Sequence, residues 1–253
     1  MVVLSKDEYD FIYSRLNSPS DVELMHNKMG FPFNMLFNIL AKKITRNTLR
    51  SYYVVKKDAK KLYREWKKGK TIYQLSKKYN FPPVLMANFI LNEAGYSKKF
   101  LKQALKDTSL FEDKRVKREV EKCIEKDFVY SPASSESQAR NGKSAESEIA
   151  LWLKSKRVGF ETEKDSIALG RSKTPDFLLK KPIKIKGRKI NWVESKSSFG
   201  DIREIRKNYR NQLKPYLELY GPGAVVYWYG YVKEHGFEDV LVLTKEDLLS
   251  EAV

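Results

Sequence analysis

Apolar residues recur at helical spacing through the first half of the chain. They follow Ser5 every three or four residues as far as Leu16, which predicts a helix over 6–16 with Ser5 as its N-cap. Ser20 is expected to cap a helix over 21–28 that Gly30 ends, and Pro32 to open the next one. The further helices predicted here cover 33–43, 98–106 and 112–127. Residues 1–130 are therefore predicted to form an all-helical domain.

Part of this helical pattern occurs twice. The segment 72–82 aligns without a gap on 22–32, and both end in Phe-Pro. Gly30 corresponds to Asn80, at a position where the end of a helix requires positive φ. We interpret this as a duplicated helix-turn-helix unit, whose second copy has its candidate recognition helix over 83–94.

The second half alternates strand and helix patterns. Strands are predicted over 160–166, 177–183, 189–197, 224–232 and 240–243. Helices are predicted over 143–156, 202–219 and 245–251. A polar run of small residues, 131–138, marks the expected boundary between the halves. The sequence thus predicts an α+β protein of two domains, 1–130 and 131–253, the second an α/β domain with a mixed central sheet.

Positive charge is concentrated in the helical half. The chain carries 49 Lys+Arg against 32 Asp+Glu, and residues 1–130 alone hold 27 against 15. Nucleic acid is the polyanion that such a surface favours, although a charged face kept for solubility gives the same count. The residues expected to grip DNA, mostly by phosphate contacts and so with weak sequence selectivity, are Lys67, Lys68, Lys70, Lys77, Lys78 and Asn88. A structural or protein-docking role for this half stays open.

Several classes of protein are disfavoured by composition. No apolar run approaches the length of a membrane span, and the polar start is unlike a secretory signal. The single Cys123 excludes an internal disulfide, and its helical context predicts a packed thiol. His26 and His235 are isolated, so no zinc site is predicted. We expect an intracellular protein without a membrane partner, in the cytoplasm or nucleoid of a prokaryote or the nucleus or cytoplasm of a eukaryote.

The candidate chemistry lies in a predicted hairpin that turns at Gly187. Side chains alternate along a strand, so Glu194 and Lys196 share one face, and Asp176 can reach them from the neighbouring strand. Two carboxylates beside an ammonium are typical of a metal-dependent phosphodiesterase. The alternative is a surface ion pair without catalytic function. The Thr-Pro that precedes Asp176 and an acidic helix upstream argue against it.

Hydrolysis of a phosphodiester needs charge neutralisation and an activated water, and Mg²⁺ or Mn²⁺ bound by oxygen ligands supplies both. Asp176 and Glu194 are the expected ligands, with the backbone carbonyl of Ser195 as a third. Lys196 would stabilise developing negative charge. Glu148 or Glu146 could reach in from the first helix of this half. Helical geometry allows only one of the two, and Glu148 is preferred because it lies on the side of the apolar residues.

These residues resemble the signature of the PD-(D/E)XK nuclease superfamily, Pro175-Asp176 followed by Glu194-Ser195-Lys196. Gln212 and Tyr216 resemble the Gln-x-x-x-Tyr motif of its RecB-like branch. That resemblance implies that Gln212 contacts the phosphate or the metal-bound water and that Tyr216 supports the site, or packs in the core.

A closer resemblance is to the TPD family of archaeal and eukaryotic proteins. The segments that carry it include Thr174-Pro175-Asp176-Phe177, Ser198-Phe199-Gly200-Asp201 and Tyr227-Trp228-Tyr229-Gly230. Asp201 could assist the site, and a role as a helix N-cap explains it at least as well.

The leading hypothesis is a metal-dependent DNA nuclease to which a basic helical half delivers substrate, with possible selectivity for nucleic-acid structure. A catalytically weak or inactive DNA-binding scaffold of the same fold is the first alternative, and an RNA-processing nuclease the second. A homodimer is left open, and no protein partner is identified.

Overall fold

The computed structural model describes residues 2–250 of the chain. The helices are α1 Lys6–Arg15, α2 Pro19–Met29, α3 Phe33–Lys57, α4 Ala59–Lys67, α5 Ile72–Lys78, α6 Pro83–Glu93, α7 Lys98–Ala104, α8 Lys114–Lys126, α9 Pro132–Ser155, α10 Glu163–Ala168, α11 Ile202–Asn208, α12 Lys214–Tyr220 and α13 Lys245–Leu249. The strands are β1 Val3–Leu4, β2 Phe160–Thr162, β3 Phe177–Ile185, β4 Arg188–Lys196, β5 Ala224–Tyr227, β6 Tyr231–Val232 and β7 Leu241–Thr244.

A mixed five-stranded sheet confirms the α+β class. Its order is β2-β3-β4-β5-β7. The first three strands are antiparallel neighbours, whereas β4, β5 and β7 run parallel. Every residue of β5 is buried, as the unbroken apolar run Ala224–Tyr227 predicts for a strand covered on both faces.

Contacts divide the chain into two compact units. Residues up to Leu40 and those from Arg140 onward form the unit that contains the sheet, and residues 41–139 form the helical unit. Both α3 and α9 run across a boundary between the units. The division expected from the sequence, after residue 130, stays a prediction about which segments fold independently.

Several predicted elements have their expected ends. Ser5 caps α1 in a capping box with Glu8, and Asp201 caps α11 by accepting from the Glu204 amide at 3.0 Å. Gly30 and Asn80 end α2 and α5 with φ of 73° and 45°, as the proposed repeat requires. Cys123 is fully buried, and its burial raises the pKa of the thiol to about 12.

Two helices begin earlier than predicted because their caps lie upstream. The Asp21 carboxylate accepts from the amide and hydroxyl of Ser18, so α2 starts at Pro19 and Ser20 lies inside it. The helix expected over 143–156 starts at Pro132 as α9, so most of the polar run 131–138, where the boundary between the halves was expected, is helical. Ser131 Oγ accepts from the Ser134 amide at 3.2 Å and Pro132 occupies the first turn. The helix expected over 33–43 continues to Lys57.

Two predicted strands are shorter than expected. Thr162 and Asp165 form a capping box that starts α10, so β2 stops at Thr162 rather than Ser166. The run 224–232 is broken after Tyr227, and Gly230 has a φ of 94° that most side chains avoid. The residues beyond the break form β6, which pairs with β1 instead of the main sheet.

The helix predicted over 202–219 is interrupted by a π-helical segment, Tyr209–Leu213, between α11 and α12. The last helix ends at Leu249, and the predicted end at Glu251 lies outside the described residues. Within residues 2–250, no helix is both long enough and apolar enough to span a bilayer.

Candidate active site

The hairpin of β3 and β4 brings Asp176 and Glu194 together. Phe177 pairs with Val193, so Asp176, one residue before β3, lies opposite Glu194. The amide of Asp176 donates to Glu194 Oε2 at 3.2 Å, and the amide of Ser195 donates to Asp176 Oδ2 at 2.7 Å. These crossed hydrogen bonds fix both carboxylates at one end of the hairpin, as the sequence predicts.

Burial disfavours the charged form of both carboxylates. Burial raises the pKa of Asp176, and the negative charge of Glu194 raises it further. Burial also raises the pKa of Glu194, against the lowering effect of Lys196. Glu194 is only 4% exposed. A pair of buried carboxylates that repel each other is stabilised by a bound cation.

Lys196 lies between a carboxylate and an amide. Its Nζ donates to Glu194 Oε1 at 2.6 Å and to Gln212 Oε1 at 2.8 Å. The side chain is 18% exposed, so the ammonium is held in place while a face remains open to a ligand. The structure therefore joins Asp176, Glu194, Lys196 and Gln212 in one network.

Gln212 owes its position to the π-helical segment. The Lys214 amide donates to the Tyr209 carbonyl, a bond that spans five residues instead of four. Pro215 follows directly and has no amide proton to donate to the preceding turn. Single π turns of this kind are frequent at functional sites. The sequence did not predict this segment.

Tyr216 is buried beneath the site. Its ring packs edge-on against Trp192, with 5.4 Å between ring centroids. Burial raises the pKa of its hydroxyl, and the charges of Glu194 and Asp176 add to the effect. The side chain therefore packs in the core and also lies close enough to the carboxylates to feel their charge.

Glu146 and Glu148, the two candidates on α9, have different surroundings. Glu148 forms an ion pair of 2.6 Å with Lys245, whose Nζ also lies 4.9 Å from the centre of the Trp228 ring. Glu146 is exposed, and its charge raises the pKa of Asp176. Of the two, Glu146 is the one whose charge acts on Asp176, whereas Glu148, which the sequence favoured, is paired with Lys245.

A further acid near the site was missed from the sequence. Glu163, the first residue of α10, raises the pKa values of Glu194 and Tyr216 through its charge. The capping box Thr162-x-x-Asp165 could have revealed the start of this helix, because it is the local signature of an N-terminus. The strand propensity of the residues around Phe160 favoured a strand through this position instead.

The donor set suits a hard divalent cation. Within residues 2–250, no group of three or more His, Cys, Asp or Glu side chains is arranged to hold a metal. Mg²⁺ is commonly bound through one or two carboxylates, with water and substrate phosphate filling the other positions. Asp176 and Glu194 fit that mode, and the cation would relieve their mutual repulsion.

The residues predicted to grip DNA lie in the helical unit, and some of their charge is already neutralised. Lys70 and Lys78 both bind Glu65, at 2.6 and 3.1 Å. Lys67 and Lys77 lie over the rings of Tyr63 and Tyr73, with Nζ 6.0 and 5.6 Å from the ring centroids. Lys68 is exposed, and Asn88 is half-buried on α6.

Comparison with known proteins supports the resemblance seen in the sequence. The TPD family, described as "Protein of unknown function TPD sequence-motif", matches residues 112–246. The chain belongs to the TPD family. The match covers the helix that precedes the sheet and all of the candidate active site.

Relatives extend the similarity to most of the chain. CDAN1-interacting nuclease 1 of Homo sapiens is 30% identical, over 92% of this chain and 90% of its own length. The protein of that name from Bos taurus is 29% identical over the same shares. The Xenopus laevis protein is 31% identical over 64% of this chain and 56% of its own length. No solved structure matches the chain.

Proposed function

We propose that this protein is a divalent-metal-dependent nuclease with a PD-(D/E)XK active site. The observation that carries the proposal is the network in which Asp176 and Glu194 are held together and Lys196 binds Glu194 at 2.6 Å. The names of the relatives, which are called nucleases, support phosphodiester hydrolysis at a coarse level.

Asp176 and Glu194 would hold Mg²⁺ or Mn²⁺, with the backbone carbonyl of Ser195 as a further ligand. A cation held there would supply charge neutralisation at the phosphate and an activated water molecule. The Ser195 side chain accepts from Trp228 Nε1 at 2.9 Å, which holds this part of β4 against the strand end beside it. The ligand positions are thereby fixed before a cation binds.

The remaining residues act on the phosphate and the attacking water. Lys196 would donate to a non-bridging phosphate oxygen and stabilise the negative charge that develops there. Gln212 keeps the ammonium in position and can itself donate through its amide nitrogen. Glu146 would orient the water, and Tyr216 would support the floor of the site by packing on Trp192.

DNA is the proposed substrate, and the helical unit would hold it. Residues 41–139 carry 24 Lys+Arg against 11 Asp+Glu, an excess suited to a polyphosphate backbone. Contacts to phosphate carry no sequence information, so cleavage is expected to be weakly sequence-selective. Selectivity would then come from the structure of the nucleic acid.

A substrate panel tests this function. Full-length protein would be incubated with duplex, single-stranded, flap and junction DNA and with single-stranded RNA, in Mg²⁺ or Mn²⁺. We expect DNA cleavage that Lys196→Ala lowers about 100- to 1,000-fold, the usual effect of removing a charge-stabilising donor. Lys184→Ala, at an exposed position of the same hairpin, serves as the matched control.

The panel also separates the two alternatives. Preferred cleavage of RNA would identify an RNA-processing nuclease. Absence of cleavage, together with tight and salt-sensitive DNA binding, would identify a non-catalytic scaffold. Equal activity of Lys196→Ala and Lys184→Ala would contradict the proposed site.

A further inference from the structure

The helical unit contains a groove that the candidate active site does not use. It lies between the second half of α3, α6 and α7, and its volume is about 540 Å³. Such a volume falls in the range of small-molecule and nucleotide sites. Its floor is mostly apolar, and its rim carries the amine groups of three lysines.

Most of the α6 positions that are not buried line this groove. Val84, Met86, Ala87, Ile90 and Leu91 of this helix are buried. The positions that line the groove are Leu85, Asn88, Phe89, Asn92 and Glu93. A candidate recognition helix that is packed in this way presents its polar side chains to the groove, rather than as a free ridge that could enter a DNA major groove.

Aromatic rings form one wall of the groove. Tyr52 packs edge-on against Phe89 with 5.3 Å between centroids, and both line the groove. The ring centroid of the neighbouring Tyr53 lies 5.6 Å from that of Tyr52, and Tyr53 is 79% exposed. An exposed tyrosine beside an apolar groove is a platform on which unpaired bases can stack.

The charge on the rim is positive. Lys56, Lys98 and Lys102 line the groove, against the single carboxylate of Glu93. This contrasts with the lysines around Glu65, where Lys70 and Lys78 already share one carboxylate. The rim lysines are therefore better placed to contact phosphates.

We propose that this groove binds single-stranded nucleic acid, with bases against Tyr53, Tyr52 and Phe89 and phosphates on the rim lysines. The inference rests on the proposed function in taking nucleic acid as the substrate, and it names the form that the helical unit holds. A duplex would not suit the groove, because paired and stacked bases cannot enter an apolar floor. Single-stranded DNA and RNA share the chemistry that the groove recognises.

Fluorescence anisotropy without divalent metal would test the groove independently of cleavage. The probes are labelled oligo-dT and oligo-rU of about 12 nucleotides, a length typical for such sites, and a duplex of equal length. One variant combines Lys56→Ala, Lys98→Ala and Lys102→Ala. Its control combines Lys114→Ala, Lys117→Ala and Lys122→Ala on α8, which removes the same charge elsewhere in the unit.

In the rim variant, the plot of log affinity against log salt should be less steep by about 2, because each lost phosphate contact on a single strand contributes about 0.7 to the magnitude of the slope. The α8 control should lower it by less than 1. Tyr53→Ala, at an exposed position that should not disturb folding, should weaken single-strand binding at least about 5-fold. The stronger of the dT and rU responses would identify the sugar that the groove prefers.

Equal affinity of the rim variant and the α8 control for the single-stranded probes would contradict nucleic-acid binding in the groove. Duplex binding that is as tight as single-strand binding and equally reduced would overturn the single-stranded occupant. Because binding is measured without metal, loss of groove binding with cleavage intact leaves the nuclease proposal standing. Loss of cleavage with groove binding intact would contradict the nuclease proposal and leave the groove proposal standing.

Discussion

The side-chain Oδ1 of Asn38 accepts a hydrogen bond from the backbone amide of Phe199 at 2.7 Å, across 161 residues of sequence. Phe199 is fully buried, and its ring stacks on Tyr9 with 5.9 Å between centroids. The loop that holds Phe199 directly follows Lys196. Residues 2–40 therefore belong to the same unit as the sheet, and Asn38 holds the loop that follows β4.

Asn38→Ala should lower the free energy of unfolding by about 1–3 kcal/mol, because it leaves the buried Phe199 amide without its acceptor. Asn34→Ala, at an exposed position of the same helix, controls for the gain in helix propensity. Chemical denaturation of both variants measures the difference. Equal stability of the two would show that Asn38 does not secure the loop.

The stability of the metal-free protein should depend on the ionisation of Asp176 and Glu194. Burial raises both pKa values in the folded state, and the charge of Glu194 raises that of Asp176 further, so the folded protein holds these protons more tightly than the unfolded chain does. Their contribution favours folding below pH about 4 and is lost as the pH rises through the folded-state pKa values.

Asp176→Asn should flatten this dependence, and thermal unfolding between about pH 4 and 8 without metal would measure it. Asp10→Asn, at an exposed position of α1, is the matched control. Mn²⁺ should raise the melting temperature of the wild type at pH 8 but not that of Asp176→Asn. An unchanged slope in Asp176→Asn would show that the two carboxyls are not coupled in this way.

Pro215→Ala should reduce cleavage without reducing stability. Alanine supplies an amide that can restore regular helical pairing, and Gln212 would then shift away from Lys196. We expect kcat to fall about 10- to 100-fold, the scale of a small misplacement at an active site, with KM nearly constant. Steady-state kinetics with Glu218→Ala, at an exposed position of α12, as control would measure the effect, and unchanged kcat would contradict it.

Substitutions of the two glutamates of α9 should affect different properties of the protein. Glu146→Gln should weaken cleavage and Mn²⁺ affinity, because its charge reaches Asp176. Glu148→Gln should affect mainly stability, by about 0–1 kcal/mol, as expected for a partly exposed ion pair with Lys245. Calorimetric titration with Mn²⁺ compares them, and a larger loss of affinity in Glu148→Gln would reverse the assignment.

Local sequence patterns predicted the parts of the site that depend on neighbouring residues. Strand alternation placed Glu194 and Lys196 on one face, and the turn at Gly187 brought Asp176 beside them. The ends of α2 and α5 at Gly30 and Asn80 were also predicted, because positive φ has a strong local signature. These features need no knowledge of distant contacts.

Features that depend on tertiary contacts were not predicted. The bond between Asn38 and Phe199 has no local signature, and the π turn that positions Gln212 arises inside a continuous helical pattern. The polar run 131–138 contains turn-forming residues, yet tertiary context makes it the start of α9. The choice between Glu146 and Glu148 depended on Lys245, whose position the sequence pattern did not give.

The most direct measurement is cleavage of labelled DNA by wild type and Asp176→Asn in Mn²⁺, each with and without EDTA. Asparagine keeps the size of the side chain but removes a charged ligand, so the variant should fold and fail to cleave. We predict cleavage by the wild type that EDTA abolishes, and cleavage at least about 100-fold slower in Asp176→Asn. Cleavage by Asp176→Asn at the wild-type rate, or wild-type cleavage that persists in EDTA, would contradict a metal-dependent nuclease site at Asp176 and Glu194.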